Sequence, residues 1–134
     1  VRRHTDALKA LIQTVPALAT KTFVTLAPTT AVPYVVIHPM DGNDESTRLA
    51  GPASTQHPRF VIHSVGSTYE QCAAIAEAVK SKLVVGGFGV APVVVGELSG
   101  RLEYSSPQPI QVDRDVTPAL CYHVAEVTWT GEPA

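Results

Sequence analysis

Three histidines, His38, His63 and His123, stand inside stretches rich in β-branched and aromatic residues. Brought together by neighbouring strands, three imidazoles make a zinc site with an open fourth position, the arrangement that activates water. Their spacing carries no ligand signature, and a strand histidine is ordinarily satisfied by a hydrogen bond. Asp113-Arg114-Asp115 offers paired carboxylates for cation binding or acid–base work; the simpler reading is a solvated loop with Asp caps and a local ion pair. Asp41, Asp44 and Glu45 lack the glycine and the terminal bidentate glutamate of a calcium loop. Gly87-Phe88-Gly89 is not a dinucleotide loop: it follows a helical pattern, lacks the third glycine, and meets Pro92 where a helix would have to start. Val65-Gly66-Ser67 is neither a nucleophile elbow nor a phosphate loop, since neither GxSxG nor a glycine-lysine-serine run is present. Cys72 and Cys121 form no CxxC and occupy apolar positions, which reads as two buried free thiols, with a disulfide or metal pair as the alternative. These residue types name no catalytic, cofactor or metal site, and the chain is expected not to be an enzyme.

The elements that would position such residues are organised around residues 59–83. Phe60-Val61-Ile62-His63-Ser64-Val65 has the composition of a strand. Gly66 breaks it, and Ser67-Thr68-Tyr69-Glu70 reads as a capping box with Ser67 as the cap and Glu70 reaching back. Cys72, Ile75, Ala76, Val79 and Leu83 then fall on one helical stripe. Upstream, Thr5 or Asp6 caps a first helix carrying Leu8, Leu11, Ile12 and Val15, which Pro16 stops. Residues 21–26 read as a short strand and residues 33–38 as a firmer one, ended by Pro39.

Residues 41–57 are polar, with Leu49 the sizeable apolar side chain. They read as a long mobile excursion between two antiparallel strands, either functional or a plain hairpin tip. Gly86-Gly87-Phe88-Gly89 is a flexible return, residues 92–96 and 101–105 suggest a hairpin, and residues 120–130 alternate as a closing strand before a tail at 131–134. The expectation is one α+β domain over residues 1–134: a mostly antiparallel sheet of about four to five strands with two amphipathic helices packed on one face.

Composition narrows the function classes. The 134 residues are 45% hydrophobic and 16% charged, with 10 Lys and Arg against 12 Asp and Glu. A net charge of −2 with no basic cluster beyond Arg2-Arg3 gives no footprint for specific nucleic-acid binding. No apolar run approaches a membrane span, and Val1-Arg2-Arg3-His4 leads straight into a helical pattern without a signal peptide. The low charge suggests that protein partners cover part of the surface.

In order and spacing the motifs resemble those of phage tail terminator (tail completion) proteins of long, flexible-tailed phages. The matching features are the short first helix, the strand opening on Pro33-Tyr34-Val35-Val36 and the Ala- and Ile-rich helix Cys72-Ala73-Ala74-Ile75-Ala76-Glu77-Ala78-Val79. The polar segment Asp113-Arg114-Asp115-Val116-Thr117-Pro118 before the last strand matches too, and Gly87-Phe88 stands where the family usually has Gly-Trp.

The resemblance implies a structural virion protein of the tail-neck region, assembled in the host bacterial cytoplasm. It would form a homohexameric ring that caps the tail tube protein, stops its polymerisation and presents a surface to the head connector or neck protein, with no cofactor and no membrane. A heterologous interface closes into such a ring when the rotation between neighbours closes, and edge strands are one place where copies can pair. On this reading Asp44, Glu45 and Arg48 make polar contacts to the tube or a neighbour, and Trp129 and Tyr34 serve in packing or at the interface. Competing readings are a neck or tail tube subunit, a small-molecule-binding regulatory α+β module, and an enzyme built on the strand histidines.

Overall fold

The computed structural model describes the chain except residues 1, 27–30, 46–54, 117 and 134, with the backbone alone at 41–45, 55 and 133. Helix α1, Arg2–Gln13, buries Leu8 and Ile12 and runs into a single 3₁₀ turn at Pro16–Leu18. Thr5, expected as the cap, lies inside the helix and is buried, because the helix already begins at Arg2. Strand β1, Thr22–Val24, precedes two long strands, β2, Tyr34–Glu45, and β3, Thr55–Gly66. They pair antiparallel as expected, Ile37 opposite Ile62 and Tyr34 opposite Val65. Pairing continues beyond Met40, so 41–45 and 55–57 of the expected loop belong to the strands, and 46–54 lie outside the described residues.

Pro39 does not end β2, contrary to the sequence expectation. Thr25 N donates to Ile37 O at 2.8 Å, so Ile37 turns its polar groups toward β1, and Pro39, two residues on, faces the same way. β1 stops opposite Ile37. The proline nitrogen therefore points past the end of β1, where no ladder bond is owed.

Helix α2, Tyr69–Leu83, buries the whole expected stripe of Cys72, Ile75, Ala76, Val79 and Leu83. Its cap is one residue later than expected. Thr68 Oγ1 accepts from Gln71 N at 3.2 Å, while Gln71 Oε1 accepts from Ser67 N at 2.8 Å and from the Ser67 hydroxyl at 2.9 Å. Thr68 and Gln71 thus replace Ser67 and Glu70 as the polar pair, since Thr-x-x-Gln satisfies the same spacing. Gly66 leaves β3 with no room to spare: a Cβ there would press on the Cys72 backbone.

The rest of the chain is richer in strands than the sequence suggested. It supplies β4, Val84–Val85; β5, Phe88–Gly89; β6, Glu97–Ser99; β7, Glu103–Ser105; β8, Gln111–Asp113; β9, Leu120–Thr128; and β10, Gly131–Pro133. The expectation of four to five mostly antiparallel strands under two helices is corrected to a mixed sheet of eight strands plus a separate β4–β5 hairpin. β1 runs parallel to β2; β9 and β10 pair with β3; β6 joins β10, and β7 and β8 join β9. The expected hairpin of 92–96 with 101–105 does not form, and the expected tail at 131–134 is largely strand. Prolines 107 and 109 break what would be one outer strand into short pieces, each finding its own stretch of β9 or β10.

α1 packs against β1, β2 and α2, and α2 against β3 and β9. The core face of the sheet contributes Val35, Ile37, Phe60, Ile62, Ala125 and Val127, all buried with Leu8, Ile12, Val79 and Leu83. Trp129 belongs to the same cluster, 2% exposed, its ring stacked on Phe60 at 5.4 Å and tilted against His4 at 6.0 Å.

Candidate functional site

Because side chains alternate across a strand, β2, β3 and β9 each present a second set of residues to the opposite, outer face. The register puts Tyr34 beside Val65 and Tyr122, Val36 beside His63 and Val124, and His38 beside Val61 and Glu126. His38 and His63 are therefore diagonal neighbours, with ring centroids 4.7 Å apart, and His63 lies 5.9 Å from Tyr122. Burial, and then the neighbouring His38, hold the His63 pKa below its ordinary 6.5, so the ring is neutral at pH 7.

His123 is not part of this group. It pairs with Ser64, one position out of phase with the His63 row, and so faces the other side of the sheet. Its Nε2 is 2.8 Å from Ser106 Oγ, and that oxygen is also 3.2 Å from Val124 O and 3.5 Å from Gln108 O. Burial, and then Lys80, lower the His123 pKa as well. A hydroxyl has one proton; donated to a carbonyl, it leaves Ser106 accepting from an imidazole N–H, which removes the imidazole as a base. Among the described residues no carboxylate bonds His123, and no group of three or more His, Cys, Asp and Glu stands close enough to hold a metal ion.

The outer face is not flat. The segment after β8 folds over the upper end of the strands and encloses a groove of about 650 Å³. Its floor is Tyr34, His63 and Tyr122; Val112, Val116 and Leu120 form the wall; Asp113, Arg114 and Asp115 form the rim. Asp113 Oδ1 accepts from Asp115 N at 3.0 Å, which fixes the rim turn, and Tyr122 donates to Gln111 Oε1 at 2.6 Å, which fixes the floor. The Asp-Arg-Asp run is thus a structured lip, with Arg114 and Asp115 exposed and Asp113 half-buried.

A second exposed feature is the β4–β5 hairpin. Gly86 and Gly87 have φ of 62° and 83°, the two left-handed positions of a tight two-residue turn, so the expected flexible return is a closed hairpin. It exposes Val85 and Phe88, and the Arg101 guanidinium covers the Phe88 ring at 4.9 Å. A Cβ on Gly89 would collide with the Leu102 carbonyl, so the hairpin base is clamped to the following segment.

Of the residues proposed for contacts, Asp44 and Glu45 lie in β2, opposite Gln56 and Thr55, and Arg48 falls outside the described residues. Trp129 sits in the core with its indole N–H buried and, among the described residues, without a hydrogen-bond partner. Tyr34 lines the groove and also meets the Phe23 ring edge-on at 6.4 Å. Both cysteines are free; Cys72 is buried, donates to Ser64 O at 3.3 Å, and has its thiol pushed up to about 11 by burial and then by Cys121. Sequence reasoning missed the groove, the hairpin surface and Ser106. Only the hairpin had a signal, in Gly86-Gly87 between Val84-Val85 and Phe88.

No family model matches the chain. Among solved structures, a chain described as part of the virion of a native gene transfer agent (GTA) particle shares the fold. Its TM-score is 0.59 at 19% sequence identity, covering 95% of this chain and 84% of that one. Among curated proteins, a probable carboxylesterase, Culp5, of Mycobacterium tuberculosis (strain ATCC 25618 / H37Rv) is 34% identical over 85 residues. That alignment takes in 62% of this chain and spans only 47% of the curated relative. The fold is therefore one found in the virion of a gene transfer agent particle, and no helix among the described residues is long and apolar enough to cross a membrane.

Proposed function

We propose that the chain is a structural virion protein that caps the end of a phage tail tube as a ring, stopping its polymerisation and giving the head connector a surface to join. The observation that carries this reading is the fold likeness to the virion chain over nearly its whole length. The resemblance of the motifs to tail terminators points the same way. So does the character of the surface: an outer face of aromatic, histidine and carboxylate side chains, and an exposed apolar hairpin, suit docking between proteins. A hexamer, the tail tube and the connector are the partners this reading assigns.

The far ends of β2 and β3, with Asp44 and Glu45, and the connecting residues, with Arg48, are what we assign to the tube or to a neighbour. Deleting residues 43–55 is expected to leave the domain folded and to give tails of abnormal length in electron micrographs of assembled particles. Normal virions from that deletion end the contact role. A tube subunit would instead build long filaments from the pure protein, which sedimentation detects.

Ester hydrolysis is the second reading, favoured by the Ser106–His123 contact together with the partial carboxylesterase match. Against it stand the hydroxyl's two carbonyl neighbours and the lack of a nucleophile elbow in the sequence. We take the chain not to be an enzyme. Turnover of a p-nitrophenyl ester that disappears in Ser106→Ala would reverse that.

A further inference from the structure

The groove and the β4–β5 hairpin lie at opposite ends of the sheet. β3 ends at Gly66, next to the groove floor, because Val65 is paired with both Tyr34 and Tyr122. α2 then carries the chain back along the core face, and the hairpin follows at the helix C-terminus. Three backbone bonds fix it there: Val90 N to Leu83 O at 2.9 Å, Leu102 N to Val90 O at 2.9 Å, and Gly100 N to Thr130 O at 2.7 Å. Thr130 lies two residues past Thr128, which faces Arg59 at the other end of the β3–β9 ladder. Neither feature can reach the other within one molecule.

Their chemistry is complementary. The hairpin presents Phe88, 64% exposed, and Val85, 60% exposed, with the Arg101 cation lying on the Phe88 ring. The groove presents an aromatic floor, an apolar wall of exposed Val112 and Val116, and a rim where two carboxylates outnumber one guanidinium. An aromatic ring carrying a guanidinium fits such a socket twice over, by ring packing on Tyr34 and Tyr122 and by an Arg–carboxylate pair at the rim. The tight glycine turn holds the knob rigid, so little ordering entropy opposes docking. Val93 and Val95, on the segment that follows the hairpin, are exposed as well.

We infer that the β4–β5 hairpin of one copy, with Phe88 and Arg101, seats in the Tyr34–Tyr122 groove of a second copy against Asp113 and Asp115. This rests on the ring reading above and names its interface. Both halves are on one chain and on different faces, so the contact is heterologous. Each copy added leaves one knob and one socket free until the rotation closes the ring.

Disulfide trapping tests the geometry. In a Cys121→Ser background, Phe88→Cys chains are mixed with Val116→Cys chains under mild oxidation. The expected result is covalent dimers in the mixture and none with either chain alone; a chain carrying both substitutions gives a ladder that stops at the closed ring. Absence of the mixed dimer, or equally ready self-linking of the Phe88→Cys chain, overturns the inference. Charge reversal is the independent check, since Arg101 and Asp115 are exposed and Asp113, whose carboxylate fixes the rim turn, is left in place. Arg101→Glu should abolish association in sedimentation, and Asp115→Arg in the same chain should restore it. Restoration failing while circular dichroism shows a folded chain also overturns it. If trapping fails but the 43–55 deletion still disturbs tail length, the docking faces are wrong and capping stands; efficient trapping with no effect on tails leaves the interface and removes the capping role.

Discussion

The two faces of the central sheet are made from the same three strands and do opposite work. On the core face, Ile37, Ile62 and Ala125 stand in one row and are excluded from water; on the outer face, one residue along, His38, Val61 and Glu126 stand in the next and are not. On the first face volume decides what fits; on the second, Val36, Val65 and Val124 are buried too, and the half-buried positions between them are those our proposal assigns to another molecule. Substitutions should separate the two: core changes lower stability and leave association per folded molecule intact, whereas changes at the half-buried outer positions do the reverse.

The largest contrast is expected at Phe60, fully buried and stacked on Trp129. Phe60→Ala should cost about 3–5 kcal/mol in chemical denaturation. Tyr122→Ala, half-buried on the outer face of β9, should cost well under half of that while weakening self-association. Equal losses at the two positions would mean that the outer face is also structural.

Next comes the polar contact that ties α1 to β6. Glu97 Oε1 lies 2.9 Å from His4 Nε2 and Oε2 lies 3.1 Å from an Arg3 nitrogen, with the Glu97 side chain 6% exposed. Glu97→Ala leaves the His4 ring nitrogen without this partner in a dry site and should cost about 1–3 kcal/mol. Gly131→Ala pushes a methyl group into the same carboxylate and should cost about 1–3 kcal/mol by overpacking. If thermal denaturation shows neither loss, the pair contributes nothing to holding α1 down.

At the start of α2, Thr68→Ala removes the acceptor for Gln71 N and should cost about 1 kcal/mol, with Thr68→Ser nearly neutral. Ser67→Ala should cost less, because the Ser67 backbone N–H keeps its bond to Gln71 Oε1.

The smallest effect is on pH dependence. His63 and His123 both have native pKa values below the ordinary 6.5. Below pH 6.5 the unfolded chain takes up protons that the native chain refuses. Stability is therefore full near pH 7, falls on acidification through that window, and levels off beneath the native pKa values. Both rings are partly solvated, so the drop is modest, and His63→Asn should flatten part of it. A melting temperature that rises between pH 7 and 5.5 would contradict the sign.

What could be read from the sequence follows the strength of local pattern. The α2 stripe, the β2–β3 pairing and the β9 alternation each come from runs long enough for periodicity to speak, and all are present. β6, β7, β8 and β10 are three residues each and exist because β9 and β10 offer them an edge; a Gly-Glu-Pro segment such as β10 has no strand propensity of its own. For the site, antiparallel pairing was enough to bring His38 and His63 together. Whether His123 joins them depends on register, and a single residue of phase turns its side chain to the other face. The groove depends on where residues 112–116 fold back, which no spacing encodes.

Pro39 has one further consequence. Past the end of β1 the margin of β2, unpaired among the described residues, would be a template for any stray extended segment, and the proline leaves a blank in its row of donors. A passing strand cannot zip on there indiscriminately. Recognition is thereby handed from the main chain, which welcomes every sequence alike, to side chains that can tell a correct neighbour from a wrong one.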